Sequence, residues 1–252
     1  MFFLVKNVFS KNLFHKARNE VIKNKKFLIE DHSKYTDKKI FRIRHDKLIQ
    51  LTSVMNLMLS EKITSFLKKK FKKVFLINLF YSTINSYHFE SHRDGQSWGY
   101  SKKSLKMSNK IFKIVIYLNN YKSEIIDISL HPSTFIKFFK NEKLSKTINY
   151  YYDYYIKKNF FFKNSGYKDC DALIFDNNTW HKSRYNKIYQ NFDENNIHKI
   201  YLAYEVVVDD INIAREYSSF VSKKYNINTK FLNDLKFLNK SKLKMFDEIV
   251  DI

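Results

Sequence analysis

The spacing of apolar residues divides the chain into three parts. In Val8–Ile22 and Leu48–Phe71 apolar residues recur every three or four positions without an internal Gly or Pro, which predicts helices. From Val74 the pattern changes to short runs rich in β-branched and aromatic residues, which predicts strands. Helical spacing returns from Ile211 onward. The sequence therefore predicts a mainly β core with flanking α-helices.

The predicted strands are short and bounded by Asn, Asp, Ser or Gly. They are Val74–Ser82, Lys110–Leu118, Ile125–Leu130, Ala172–Asp176 and Lys199–Val208. The aromatic and lysine-rich segment 134–162 is predicted to form helix and loop inserted between strands. We expect one domain over residues 1–252, because no repeat or linker interrupts the pattern. Its parts are a helical N-terminal layer (1–73), a β core (74–208) and C-terminal helices (209–252).

Composition changes this prediction little. The chain has 252 residues, of which 44% are hydrophobic, and this suffices for one large core. A formal net charge of +21 would normally indicate nucleic acid or an anionic surface as partner. The basic residues are spread from Lys6 to Lys244, and a bias towards Lys, Asn, Ile, Phe and Tyr is typical of AT-rich coding. We interpret the charge as a generally basic surface and keep a nucleic-acid-directed function as an alternative.

Cysteine usage and hydropathy bear on the cellular compartment. Cys170 is the single cysteine, which excludes an intrachain disulfide framework and a thiolate metal cluster and is typical of a reducing compartment. The N-terminal apolar run ends after five residues at Lys6, and no window reaches eighteen apolar residues. We therefore expect a cytoplasmic protein without a membrane span.

The stretch YHFESHRDGQSWGY, from Tyr87 to Tyr100, contains the first candidate chemistry. It places His88, Glu90, His92 and Asp94 at alternate positions, which share one face if the segment is a strand. A His-x-Asp pair can bind a metal ion when a third ligand comes from elsewhere. Such pairs also arise by chance, and His88 with Glu90 forms a rival pair. The alternative is a solvated polar face on an edge strand.

A candidate third ligand follows in DCDALIFDNNTWHKS. This segment predicts a buried strand, a tight Asn-Asn turn and then His181, 87 residues beyond Asp94 (181 minus 94). The motifs HRDG, KIFKIVIYLNNY and DALIFDNNTWHKS, in this order, resemble the phytanoyl-CoA dioxygenase-like branch of the Fe(II)/2-oxoglutarate-dependent oxygenases. The resemblance covers about residues 75 to 208.

This resemblance implies a fold and an activity. The fold would be a double-stranded β-helix, a jelly-roll or cupin-like barrel. His92, Asp94 and His181 would be the catalytic iron ligands. The cofactors would be Fe(II), 2-oxoglutarate and O2, with ascorbate supporting the reaction. The enzyme would be a dioxygenase that hydroxylates a small organic or lipid-like substrate and releases succinate and CO2.

The resemblance also implies which residues bind the cosubstrate 2-oxoglutarate. The family has an Arg at the start of the last core strand and often a Ser or Thr two residues after the distal histidine. Ser183 fits the second role, but His198 or Lys199 stands where the Arg is expected, and Arg184 lies too close to the distal histidine. We favour Lys199, and Tyr117 lies on a strand that faces the cosubstrate in the family. Because Lys lacks the bidentate fork of Arg, a catalytically impaired binding protein on the same barrel is an alternative.

Overall fold

Two antiparallel sheets form the centre of the protein. The structure, a computed structural model, describes residues 1–32, 39–84, 92–95, 107–118, 128–130, 141, 143–144, 146–148, 150–151, 155, 163–164, 166–183, 197 and 199–250. Within these residues the larger sheet has the order β1-β8-β5-β10-β4-β3-β2, with β11 parallel to β4, and the smaller sheet has the order β7-β6-β9. The strands are β1 (Phe2–Val5), β2 (Leu28–His32), β3 (Lys39–Ile43), β4 (Val74–Ile84), β5 (Ile111–Tyr117), β6 (Ile128–Leu130), β7 (Lys163–Asn164), β8 (Ala172–Asp176), β9 (His181–Ser183), β10 (Ile200–Val208) and β11 (Glu248–Ile249).

Helices flank the larger sheet, and in the sequence they lie before β4 and after β10. They are α1 (Lys11–Lys23), α2 (His45–Leu48), α3 (Thr52–Met58), α4 (Glu61–Lys70), α5 (Ile211–Tyr225) and α6 (Thr229–Leu243). Side chains cap several of them, since Ser10, Asp210 and Asn228 accept hydrogen bonds from backbone N–H groups in the first turns of α1, α5 and α6. None of the helices in the described part of the chain is long and apolar enough to cross a lipid bilayer.

The predicted fold class, a mainly β core with flanking helices, is confirmed. The predicted strands correspond to β4, β5, β8 and β10 with shifts of at most two residues at their ends, and the described part of the predicted strand Ile125–Leu130 forms β6. Residues 1–73 differ from the helical expectation, since they also contain three strands: β1 pairs with β8, β3 pairs with β4, and β2 pairs with β3. The predicted insertion over 134–162 lies mostly outside the described residues, and those described between 143 and 155 are all helical.

Strands β5, β8 and β10 bury both of their faces. One face packs with the helices in the main core, where Ile114 and Leu202 join Val54 and Ala214. The other face forms a second cluster of buried residues: Val115, Tyr117, Tyr167, Leu173, Phe175 and Ala203. Phe175 contacts the ring of His181 in β9, with 4.7 Å between the ring centroids. The second face is therefore turned towards the smaller sheet, and we call it the inner face.

Candidate metal centre

Three potential metal ligands from distant parts of the sequence meet between the two sheets. The ligand atoms of His92, Asp94 and His181 all lie within 4.8 Å of one another. His92 and His181 face each other across a β-bridge, in which each backbone N–H donates to the other's carbonyl oxygen at 3.0 and 2.8 Å. The backbone pairing itself thus places the two imidazoles side by side, with ring centroids 4.3 Å apart.

Asp94 reaches the site by a different route from the predicted one. The alternation argument required a strand through both His92 and Asp94. In the structure His92 forms the bridge, whereas Asp94 and Gly95 lie in a short 3-10 turn. The turn, and not strand alternation, brings the carboxylate next to the imidazoles. His88 and Glu90 lie outside the described residues.

A tight turn after β8 presents His181, as the Asn-Asn motif predicted. The Asp176 side chain accepts hydrogen bonds from the backbone N–H of Asn178 at 3.1 Å and from the hydroxyl of Thr179 at 2.9 Å. The backbone N–H of Thr179 also donates to the carbonyl oxygen of Asp176 at 2.9 Å. These bonds satisfy polar groups that are buried here and so fix the direction in which the chain enters β9.

Further hydrogen bonds join this turn to the segment that carries Asp94. The backbone N–H of Gly95 donates to the carbonyl oxygen of Asn177 at 2.7 Å. The buried Arg93 guanidinium donates to Oδ1 of Asn178 at 2.7 Å, and Nδ2 of Asn178 donates to Oδ1 of Asn109 at 2.7 Å. The relative positions of the candidate ligands are therefore held by backbone and side-chain bonds on both sides of Asp94.

Gly95 lies so close to the turn after β8 that position 95 has no room for a side chain. Its replacement gives a first prediction. A Cβ atom at position 95 would lie 2.7 Å from Oγ of Ser108 and 2.9 Å from the carbonyl oxygen of Asn177. We expect Gly95→Ala to lower the free energy of unfolding by about 2 kcal/mol. Because the turn must shift, Co(II) affinity should also fall by about tenfold, as measured by calorimetry.

Gly166→Ala is the matched control for this prediction. Gly166 has a φ of +69°, so alanine there is strained, yet the nearest side-chain atom to its Cβ would be 4.0 Å away. The substitution should cost about 1 kcal/mol of stability through backbone strain and leave Co(II) affinity unchanged. An equal loss of Co(II) affinity in both variants would contradict the specific role of Gly95.

The hydrogen bonding of His181 orients its ring for metal binding. Nδ1 lies 3.0 Å from the carbonyl oxygen of Thr179, which can only accept, so Nδ1 carries the proton and Nε2 carries the lone pair. Nε2 lies 3.9 Å from Oδ2 of Asp94. Burial, with a smaller contribution from His92, lowers the pKa of His181 to about 3. The imidazole is therefore neutral at pH 7, which is the form that binds metals.

The second polar feature of the site is a buried ammonium group beside Asp94. Nζ of Lys113, in β5, lies 2.5 Å from Oδ2 of Asp94. Burial alone would raise the pKa of Asp94, but the Lys113 ammonium, with smaller contributions from His181 and His92, holds this pKa well below its usual range. Asp94 is therefore an ionised carboxylate at neutral pH, as metal binding requires.

Lys113 belongs to a chain of buried polar groups that crosses the larger sheet. Its Nζ lies 3.9 Å from Oε1 of Glu205, which is its cross-strand neighbour in β10. The hydroxyl of Tyr217, in α5, donates to Oε2 of Glu205. Sequence reasoning missed Lys113 and Glu205, although each is a single charge within an otherwise apolar strand, and that pattern is the signal that could have found them.

The residues predicted to bind the cosubstrate fall into two groups: some lie within the described part of the chain and the others lie outside it. Lys199 is buried, with 4% of its surface exposed, and its Nζ lies 5.4 Å from the ring centroid of Tyr117 on the inner face. Burial lowers the pKa of Lys199 to about 7. Ser183 ends β9, the strand that begins at His181. Arg184 and His198 lie outside the described residues.

Comparison with known proteins bears on the fold. A scan against protein-family models and a search of curated proteins find no match for this chain. Solved structures do resemble it. SnoN, a non-haem α-ketoglutarate-dependent epimerase from nogalamycin biosynthesis, has a TM-score of 0.56 at 8% identity, with 82% of this chain and 78% of that chain covered.

Two further solved structures give the same result. SnoK, a non-haem α-ketoglutarate-dependent carbocyclase from nogalamycin biosynthesis, has a TM-score of 0.56 at 9% identity, covering 82% of this chain and 80% of its own. HygX from Streptomyces hygroscopicus, with nickel and 2-oxoglutarate bound, has a TM-score of 0.52 at 12% identity, covering 82% of this chain and 83% of its own. The chain has the fold of 2-oxoglutarate-dependent non-haem enzymes. At this level of identity the likeness concerns the fold, and the chemistry must be argued from the site.

Proposed function

We propose that the protein is an Fe(II)- and 2-oxoglutarate-dependent oxygenase whose iron is bound by His92, Asp94 and His181. The observation that carries this proposal is the convergence of the three ligand atoms within 4.8 Å, between the two sheets of a fold shared with 2-oxoglutarate-dependent enzymes. Two imidazoles and one carboxylate are the donor set of the facial triad of non-haem iron oxygenases, which leaves coordination positions open.

The properties of these residues fit a divalent iron ion. His181 is neutral and its Nε2 lone pair faces Asp94, while Asp94 supplies the negative charge. HygX, whose fold is similar, has been crystallised with iron and also with nickel and 2-oxoglutarate. When bound, iron would supply the redox chemistry by which O2 oxidises 2-oxoglutarate to succinate and CO2 and a second substrate is oxidised.

Lys199 is the residue that we propose for the distal carboxylate of 2-oxoglutarate. It precedes β10, the last core strand, where the resembling family has Arg, and it is buried beside Tyr117 on the inner face. A carboxylate bound next to this buried ammonium would stabilise its charged form. Ser183 and Tyr117 remain proposed contributors by position, and Arg184 and His198 remain predictions.

The substrate is proposed to be a small organic molecule. The inner face carries tyrosines beside the site. Tyr81 and Tyr201 are partly buried, with their hydroxyl oxygens 3.5 Å apart, and the ring of the buried Tyr117 contacts that of Tyr201. Tyrosines combine apolar surface with a hydrogen-bonding hydroxyl, which suits a small oxygenated compound better than a pure hydrocarbon. The finer assignment to the phytanoyl-CoA dioxygenase-like branch and the expectation that nucleic acid is not the substrate stay predictions.

Succinate formation tests the proposed function. Purified protein incubated with Fe(II), ascorbate, 2-oxoglutarate and O2 should form succinate, at least slowly, even without its own substrate. Omission of Fe(II), or its replacement by Ni(II), should stop the reaction, because the chemistry needs a redox-active metal. Metal binding without any succinate formation would favour the alternative of a binding protein on the same barrel.

A further inference from the structure

Lys113 lies where a cation affects any metal bound to Asp94. Its side chain is 8% exposed, and its Nζ lies 2.5 Å from Oδ2 of Asp94. This is the same carboxylate oxygen that lies 3.9 Å from Nε2 of His181. The ammonium group and a metal ion in the triad would therefore draw on one oxygen atom.

Glu205 is a second acidic group beside Lys113. Its carboxylate is buried, with 4% of the side chain exposed, and its Oε1 lies 3.9 Å from Nζ of Lys113. The hydroxyl of Tyr217 donates to the other oxygen of Glu205 and fixes the carboxylate in place. Asp94 and Glu205 thus compete for one ammonium group.

We propose that Lys113 is a positioning residue that limits the metal affinity of the triad, and that Glu205 opposes it by drawing the ammonium away from Asp94. This inference rests on the proposed function, because it takes the triad as the metal site. A positive charge this close to a divalent ion raises the free energy of the bound state, and burial of the Lys113 side chain weakens the screening of this repulsion by solvent. Asp94 also gives part of its hydrogen-bonding capacity to the ammonium rather than to the metal.

The proposal predicts effects of opposite sign in two single variants. Lys113→Met removes the competing cation, so the Kd for Co(II) should fall by about tenfold or more, as measured by anaerobic calorimetry without 2-oxoglutarate. Glu205→Gln leaves the ammonium to Asp94 alone, so the Kd should rise by about threefold or more. A merely structural role in packing the inner face would weaken Co(II) binding in both variants.

A double variant keeps the test valid if Lys113→Met folds poorly with Glu205 left unpaired. Lys113→Met combined with Glu205→Gln removes both charges, and we expect it to bind Co(II) about tenfold more tightly than Glu205→Gln alone. Lys110→Met is the control, since Lys110 precedes the same strand but is only partly buried and should leave the Kd unchanged.

The outcomes separate this inference from the proposed function. Tighter binding in Lys113→Met or in the double variant, with weaker binding in Glu205→Gln, supports the role of Lys113. Binding by the wild type with an unchanged or higher Kd when Lys113 is replaced overturns the inference alone. No Co(II) binding by the wild type would overturn both the inference and the metal site on which it rests.

Discussion

Replacing Asp94 with alanine should abolish both metal binding and succinate formation. Asp94 is the only carboxylate of the triad, and without it no negatively charged ligand of the triad balances the charge of a divalent ion. In the wild type the Lys113 ammonium contacts Asp94. The substitution leaves this ammonium without the carboxylate and beside the remaining ligands. We expect no detectable succinate and a loss of Co(II) affinity of at least about a hundredfold.

His181→Ala should have a similar effect for a different reason. It removes the ring whose Nε2 is held towards Asp94 by the hydrogen bond from Nδ1 to Thr179. His15→Ala is the matched control, because His15 is an exposed histidine on α1 and should keep full activity. The triad would be refuted if Asp94→Ala and His181→Ala, both folded by circular dichroism, formed succinate at the wild-type rate.

The affinity for 2-oxoglutarate should fall as the pH rises above neutrality. Burial lowers the pKa of Lys199 to about 7, so the fraction of protein with a charged ammonium decreases through the range from pH 7 to 9. The neutral amine of Lys199 cannot balance the charge of a carboxylate. Above pH 7 the binding of 2-oxoglutarate must therefore be accompanied by protonation of this amine. The Kd for 2-oxoglutarate should therefore rise by up to about tenfold per pH unit above 7, and measurement with Ni(II) in place of iron avoids turnover.

Lys199→Arg provides the control for this pH dependence. Arginine stays charged throughout this range and matches the residue of the resembling family, so its Kd should be nearly constant between pH 7 and 9. Lys199→Met should bind 2-oxoglutarate weakly at every pH. Identical pH profiles in the wild type and Lys199→Arg would show that another cation binds the carboxylate.

Much of the fold could be predicted from the sequence, because the central strands carry strong local signals. Strands β4, β5, β8 and β10 are apolar runs that are buried on both faces, and such runs differ clearly from helical spacing. The short strands β1, β2 and β3 are not predicted from the sequence, because each has only four or five residues, and the pairings of β1 with β8 and of β3 with β4 join distant parts of the chain. Tertiary contacts, and not local preference, make them strands.

The site was predictable only where sequence motifs exist. The order of the HRDG and TWHKS motifs identified the three residues that the structure brings together. The contribution of Lys113 could not be placed in the same way, because its contact with Asp94 depends on the inner face of β5 lying against the 3-10 turn. Its pairing with Glu205 depends on the register between β5 and β10, which no local pattern specifies.

Anomalous X-ray scattering from crystals grown anaerobically with Fe(II) and 2-oxoglutarate would test the central claim most directly. The proposed function predicts one iron peak within bonding distance of Nε2 of His181, a ring nitrogen of His92 and a carboxylate oxygen of Asp94. It also predicts 2-oxoglutarate on the same ion, with its distal carboxylate at Lys199. An iron peak bound by other residues, or none at this triad in protein that is fully folded, would contradict the assignment.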